Sequence, residues 1–259
     1  MKSTSNINSN IFYYTNIYEK IHQGNGFYHG QGKHFHSSLN ARVGITLENC
    51  KSDDDINSAM GTISVIDCPF LKDLNARNGI QITNSTVRHV KCFMGNVIAL
   101  NCQVGEIYAQ DGMTIHNFTA EKLTVSMGKI EAHNSMLDSI VSSIEARDGI
   151  SMTNVKAHDV KVTMGEVVAN SCTANRISAQ SSVSLTESTV NTVILNVENT
   201  QATLVLNNSS VEGNVVVKAS VNTPHVELVI QGKGVIKGKV IFEGCEGTIQ
   251  SGDGIVIQA

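Results

Sequence analysis

The sequence predicts an all-β chain, wound as a single-stranded right-handed parallel β-helix of about 12–13 coils of roughly 17 residues with an N-terminal cap. Three observations predict it. Glycines recur at a near-constant interval, apolar and polar residues alternate between them, and aromatic residues make up only 5% of the 259 residues, with no Trp.

The interval comes first. Gly44, Gly61, Gly79, Gly95, Gly112, Gly128, Gly149 and Gly165 are spaced by 17, 18, 16, 17, 16, 21 and 16 residues. The unit is a pair. Odd members read Ala-Arg-Asn-Gly-Ile-Gln-Ile-Thr-Asn (76–84), Ala-Gln-Asp-Gly-Met-Thr-Ile-His-Asn (109–117) and Ala-Arg-Asp-Gly-Ile-Ser-Met-Thr-Asn (146–154). Even members open on Met60-Gly61, Met94-Gly95, Met127-Gly128 and Met164-Gly165. Spacings of 16 and 17 do not fit a left-handed hexapeptide helix, which favours the right-handed form.

The alternation supplies the strands. After Gly79 the apolar positions are Ile80, Ile82, Val87, Val90 and Cys92. After Gly112 they are Met113, Ile115, Ala120, Leu123 and Val125. A period of two means short strands with one buried face, and each break in phase marks a corner. A narrow interior lined by aliphatic side chains leaves little room for rings, which accounts for the composition.

The corners carry their own series. Asn49, Asp67, Asn84, Asn101, Asn117, Asn134 and Asn154, with Ser171 next, fall at one register and form an expected ladder of stacked amides. Residues 1–10 read as a disordered leader and 11–40 as a cap rich in aromatics and histidine. Residues 41–259 read as the β-helix, regular over 41–190 and built of longer coils over 191–259. In that last part Leu204 and Leu206 are aligned with Leu228 and Ile230, 24 residues on, and Val211 with Val235.

Function classes are narrowed by what is scarce. Net charge is −4, so there is no basic excess for nucleic acid. No apolar run approaches the ~20 residues of a membrane span. Residues 1–10 lack an apolar signal-peptide core, and the six cysteines lack CxxC pairing, so the expected setting is the cytoplasm. The Ser/Thr/Asn-rich start leaves signal-independent export as a second setting.

Candidate chemistry is sparse. His22, His29, His34 and His36 lie around a glycine-rich stretch, and His34-x-His36 can direct two imidazoles to one side of a strand as metal ligands. With no Cys or paired carboxylate at metal-site spacing, polar cap residues are the preferred reading. Arg42, Arg77 and Arg147, with Asp111 and Asp148, recur with the repeat and read as turn residues, not as catalysts. His89, His116, His133 and His158 are expected at different coil positions, as scattered surface residues. No catalytic residue, metal or other cofactor is expected.

Val235-Ile-Lys-Gly-Lys-Val-Ile-Phe-Glu-Gly (235–244) resembles the Val-x-Gly-x-Val-x-x-x-Gly coils of the bactofilins, bacterial cytoskeletal proteins that polymerise from right-handed β-helices. The resemblance is clearest over 204–259 and implies self-association through rod ends. The chain's own pattern agrees: Ile255, Val256 and Ile257 form an apolar terminal strand without a charged cap, expected to make the interface of a homo-oligomer. The expected function is a non-enzymatic structural or interaction rod, with a protein partner also able to meet the N-terminal segment. The alternatives are a carbohydrate-binding or polysaccharide-cleaving β-helix and an exported bacterial effector.

Overall fold

The computed structural model describes residues 22–135, 140–180, 182–219 and 225–258, of which residues 22–24 are described by backbone alone. It is an all-β solenoid of about 13 turns with coils of about 17 residues, and the described residues contain no helix. All strand pairings are parallel, each strand bonding to its equivalent in the neighbouring coil.

Each coil has three faces. The first carries strands such as Gly44–Glu48, Thr62–Ile66 and Gly79–Thr83. A sharp corner leads to a short second face, such as His34–Phe35 or Lys51–Ser52, and a further bend to the third, such as Leu39–Ala41 or Ile56–Ser58. In the middle of the rod the second and third faces fuse into single strands, as in Thr86–Cys92, or all three do, as in Asn96–Ala109 and Gly112–Val125.

The inward positions are those that the alternation marks. Ile80, Ile82, Val87, Val90 and Cys92 are buried, and so are Met113, Ile115, Leu123 and Val125 in a coil further on. Each is worth ~1.5–3 kcal/mol of transfer free energy for the larger side chains. A single coil cannot enclose such a face, so the core exists only because coils stack.

The register differs from a simple alignment of glycines. Gly44 pairs with Thr62, Gly79 with Thr62 and Asn96, Gly112 with Asn96 and Lys129, and Gly149 with Lys129 and Glu166. Even glycines therefore stand one residue ahead of the strand, in the turn before it. A Cβ on Gly61 would lie 1.2 Å from the Val43 carbonyl oxygen, and on Gly128 1.6 Å from that of Asp111. The Met-Gly turns press on the backbone of the preceding coil, and only glycine fits there.

Two boundaries shift. Coils are already present in 22–40: His22–Gly24 pairs with Leu39–Ala41, Phe27–Gln31 with Gly44–Glu48, and His34–Phe35 with Lys51–Ser52. The expected start of the solenoid at 41 is thus too late. Gly30 and Phe35 take inward positions that aliphatic residues fill elsewhere, which hides the alternation. The expected leader 1–10, and the aromatics Phe12, Tyr13, Tyr14 and Tyr18, lie outside the described residues. In the longer coils Leu204 pairs with Ile230 and Val211 with Ile236, not with Leu228 and Val235. An irregularity between Asn207 and Ser209, where Asn208 has φ 50°, shortens the pairing distance from 26 residues to 25.

Candidate functional site

The first corner is held by residues in the left-handed region. Asn49, Asp67, Asn84, Asn101, Asn117, Asn134 and Asn154 have φ between 49° and 56°, and Ser171, Glu187 and Asn208 continue the series. Asparagine tolerates this conformation better than most residues. The amides also bond along the axis: Asn84 Nδ2 donates to Asp67 Oδ1 (2.9 Å), Asn101 to Asn84 (3.0 Å), Asn117 to Asn101 (3.0 Å) and Asn154 to Asn134 (2.8 Å). A second ladder, on the third face, went unread in the sequence: Asn57 donates to Asn40 at 2.9 Å and Asn75 to Asn57 at 3.0 Å.

Behind the first ladder runs an internal one. The Cys68 amide donates to Ser85 Oγ at 3.0 Å, that of Cys172 to Ser188 Oγ at 3.0 Å, and that of Ser188 to Ser209 Oγ at 3.0 Å. Each serine hydroxyl donates in turn to the carbonyl two residues back, at 2.7–2.9 Å. Thiols replace hydroxyls where the Cys50 amide meets Cys68 Sγ at 3.4 Å. These cysteines thus satisfy backbone besides filling space. Burial pushes the thiols of Cys68, Cys92, Cys102 and Cys172 up, away from the reactive thiolate.

The repeated arginines face methionines. Nε of Arg77 lies 3.1 Å from Met94 Sδ, and that of Arg147 lies 3.0 Å from Met164 Sδ, with Arg42 and Met60 in the same relation at 3.5 Å. Gln110 replaces arginine opposite Met127. This explains the two-coil unit: an odd coil's donor covers an even coil's sulfur. Met60, Met94, Met127 and Met164 nevertheless stay about half exposed, forming a stripe along the rod.

The histidines divide differently from the expectation. His116 and His133 are strand partners with rings stacked at 4.9 Å, so they do share a register; counting from the displaced even glycine conceals it. His89 bonds Asp73 at 3.0 Å, next to a two-pronged Arg88–Asp73 pair at 3.1 Å. His158 and Arg176 meet Asp159 likewise, at 3.3 and 3.0 Å. Cys92 is buried behind an outward His89, which leaves no Cys–His dyad there.

His34 and His36 converge. Their ring centroids are 4.0 Å apart, on one side of the short second-face strand. Asp53, one coil further along, meets both: Oδ1 lies 3.0 Å from His34 Nε2, and Oδ2 lies 2.8 Å from His36 Nδ1. These hydrogen bonds hold the Asp53 carboxyl below the usual carboxylate range. The Asp53 amide donates to the Phe35 carbonyl at 2.9 Å, so the carboxylate is seated under the residue between the two imidazoles. The link spans one coil in sequence and was missed because no local spacing shows it. His29 stays apart, on the first face opposite Thr46, and the backbone of His22 lies on the third face, opposite Leu39.

No family model, curated protein or solved structure matches this chain.

Glu246–Ser251 and Gly254–Ile257 pair on one side with His225–Ile236 and, among the described residues, with no strand on the other. Ile255 packs against the core, while Ile249, Val256 and Ile257 are 44%, 51% and 38% exposed. Shallow depressions among the described residues include one of about 460 Å³ and another of about 510 Å³. Glu187 and Lys233 line the first, near that edge; Asn40, Asn57, Asn75, Arg77 and Phe93 line the second. Neither brings two carboxylates together.

Proposed function

We propose that the chain is a non-enzymatic structural rod that self-associates through its last coil. The observation that carries this is the edge at 246–257, which among the described residues pairs on one side only and lies beside exposed Ile249, Val256 and Ile257. Unpaired strand edges with apolar neighbours are templates for another chain. A second copy offering the same edge gives a closed two-fold pair, whereas contact with a different end would propagate a filament. The resemblance of 235–244 to bactofilin coils supports the same direction. The exposed methionine stripe adds a long adaptable surface for lateral contact. Five buried free thiols favour a reducing, cytoplasmic setting, and no helix among the described residues is long and apolar enough to cross a membrane.

Light scattering tests the proposal. The full chain should run at a multiple of 27.8 kDa. Val256→Lys combined with Ile257→Lys should return it to 27.8 kDa with an unchanged circular dichroism spectrum. Monomeric mass for the unaltered protein at high concentration would overturn the assignment.

A further inference from the structure

We infer that His34, His36 and Asp53 form a binding site for a divalent transition-metal cation of the zinc class, clamping two successive coils near the N-terminal end of the described rod. The three side chains each offer one ligand atom, and these atoms lie within 4.8 Å of one another. A tetrahedral zinc with bonds of ~2.0–2.2 Å needs ligand atoms roughly 3.3 Å apart. The contacts of Asp53 with His34 at 3.0 Å and with His36 at 2.8 Å lie a few tenths of an ångström inside that spacing, one to each carboxylate oxygen. Small rotations of the three side chains bring the ligand atoms to that spacing, and all three are exposed enough to turn.

Two imidazoles and one carboxylate suit zinc, cobalt or nickel better than calcium or magnesium, which prefer all-oxygen shells. The backbone supplies the rigidity. His34 and Phe35 are locked to Lys51 and Ser52 by the parallel ladder, and the Asp53 amide is tied to Phe35. The neighbouring acids Asp54 and Asp55 are taken by Lys72 at 3.1 and 3.3 Å, so Asp53 alone turns toward the histidines. Three protein ligands leave at least one coordination position for water. Lys51, the strand neighbour of His34, adds a positive charge to this part of the surface that weakens cation binding.

The test is calorimetric titration of the full chain with Zn²⁺, paralleled by the visible absorption of Co²⁺ as a reporter of tetrahedral geometry. One equivalent should bind, with the affinity falling at least tenfold in Asp53→Asn and in His36→Ala. The double variant His116→Ala and His133→Ala, which removes the other adjacent imidazole pair, should bind as the unaltered protein does. Circular dichroism verifies that each variant is folded, and His34→Ala serves if Asp53→Asn is not. Absence of binding, or binding that survives both ligand substitutions or is lost in the control, overturns the site.

Discussion

Asn101 shows how one side chain sets a corner. Its φ of 54° would cost most other residues ~1–2 kcal/mol, and its amide accepts from Asn117 while donating to Asn84. Asn101→Ala should therefore lose about 3–4 kcal/mol, combining backbone strain with two hydrogen bonds of ~1 kcal/mol each. Asn101→Gly relieves the strain and should lose only about 2 kcal/mol, less than alanine. Urea unfolding of the two variants separates the contributions; equal losses would show that the conformation is not what asparagine supplies. Asp73 gives a pH dependence. Burial raises its pKa, but Arg88 and His89 outweigh this and hold it below the ordinary value. Asp55, in the coil on its other side, is engaged by Lys72. A depressed carboxylate stabilises the fold above its unfolded pKa of ~3.9, and that contribution disappears as acid takes the pH down through its folded value. Asp73→Asn should thus lower the midpoint at pH 7 by an amount worth ~1 kcal/mol for a partly exposed pair, with the difference from the parent shrinking as the pH falls below the unfolded carboxylate value.

At the scale of the coil, the two glycine classes behave differently. Gly128 lies against the Asp111 carbonyl, whereas a Cβ on Gly112 would meet the Asn96 side chain at 3.0 Å, a neighbour able to swing aside. Gly128→Ala should cost more than ~3 kcal/mol and Gly112→Ala less than ~1 kcal/mol, read from denaturant midpoints. Comparable losses would mean that the turn relaxes. The same contrast explains what was legible. Gly79, Ile80 and Ile82 announce a strand because alternation is a local signal. The displacement of Gly61 and Gly128 from strand to turn is not local: it arises from contact with a carbonyl a coil away. That single displacement also hid the His116–His133 stack. The approach of Asp53 to His34 and His36 escaped for the same reason, since a solenoid joins residues about 17 apart that no short motif connects. The start of the rod was obscured by Phe35, whose bulk replaces the usual aliphatic residue.

For the whole molecule, stacking makes stability additive between neighbouring coils, with contacts confined to adjacent layers. Gly79 and Gly112 occupy equivalent places in the paired repeat, so excision of 79–111 should join Asn78 to Gly112 in register. The shortened chain should fold, with solution scattering giving a rod shorter by about 10 Å, two layers of ~4.8 Å each. Loss of β signal in circular dichroism would show that the layers are not interchangeable. Removing one layer instead, 79–95, should fare worse, because it would set Arg77 opposite Gln110 in place of the Arg77–Met94 contact.

The five enclosed sulfhydryls have a practical corollary. Cys50, Cys68, Cys92, Cys102 and Cys172 are sealed inside the stack, while Cys245 is partly open to solvent. An alkylating reagent should modify Cys245 promptly and reach the others only when adjacent layers part. The order in which they react would chart where the rod breathes, using probes that nature has already placed along its length.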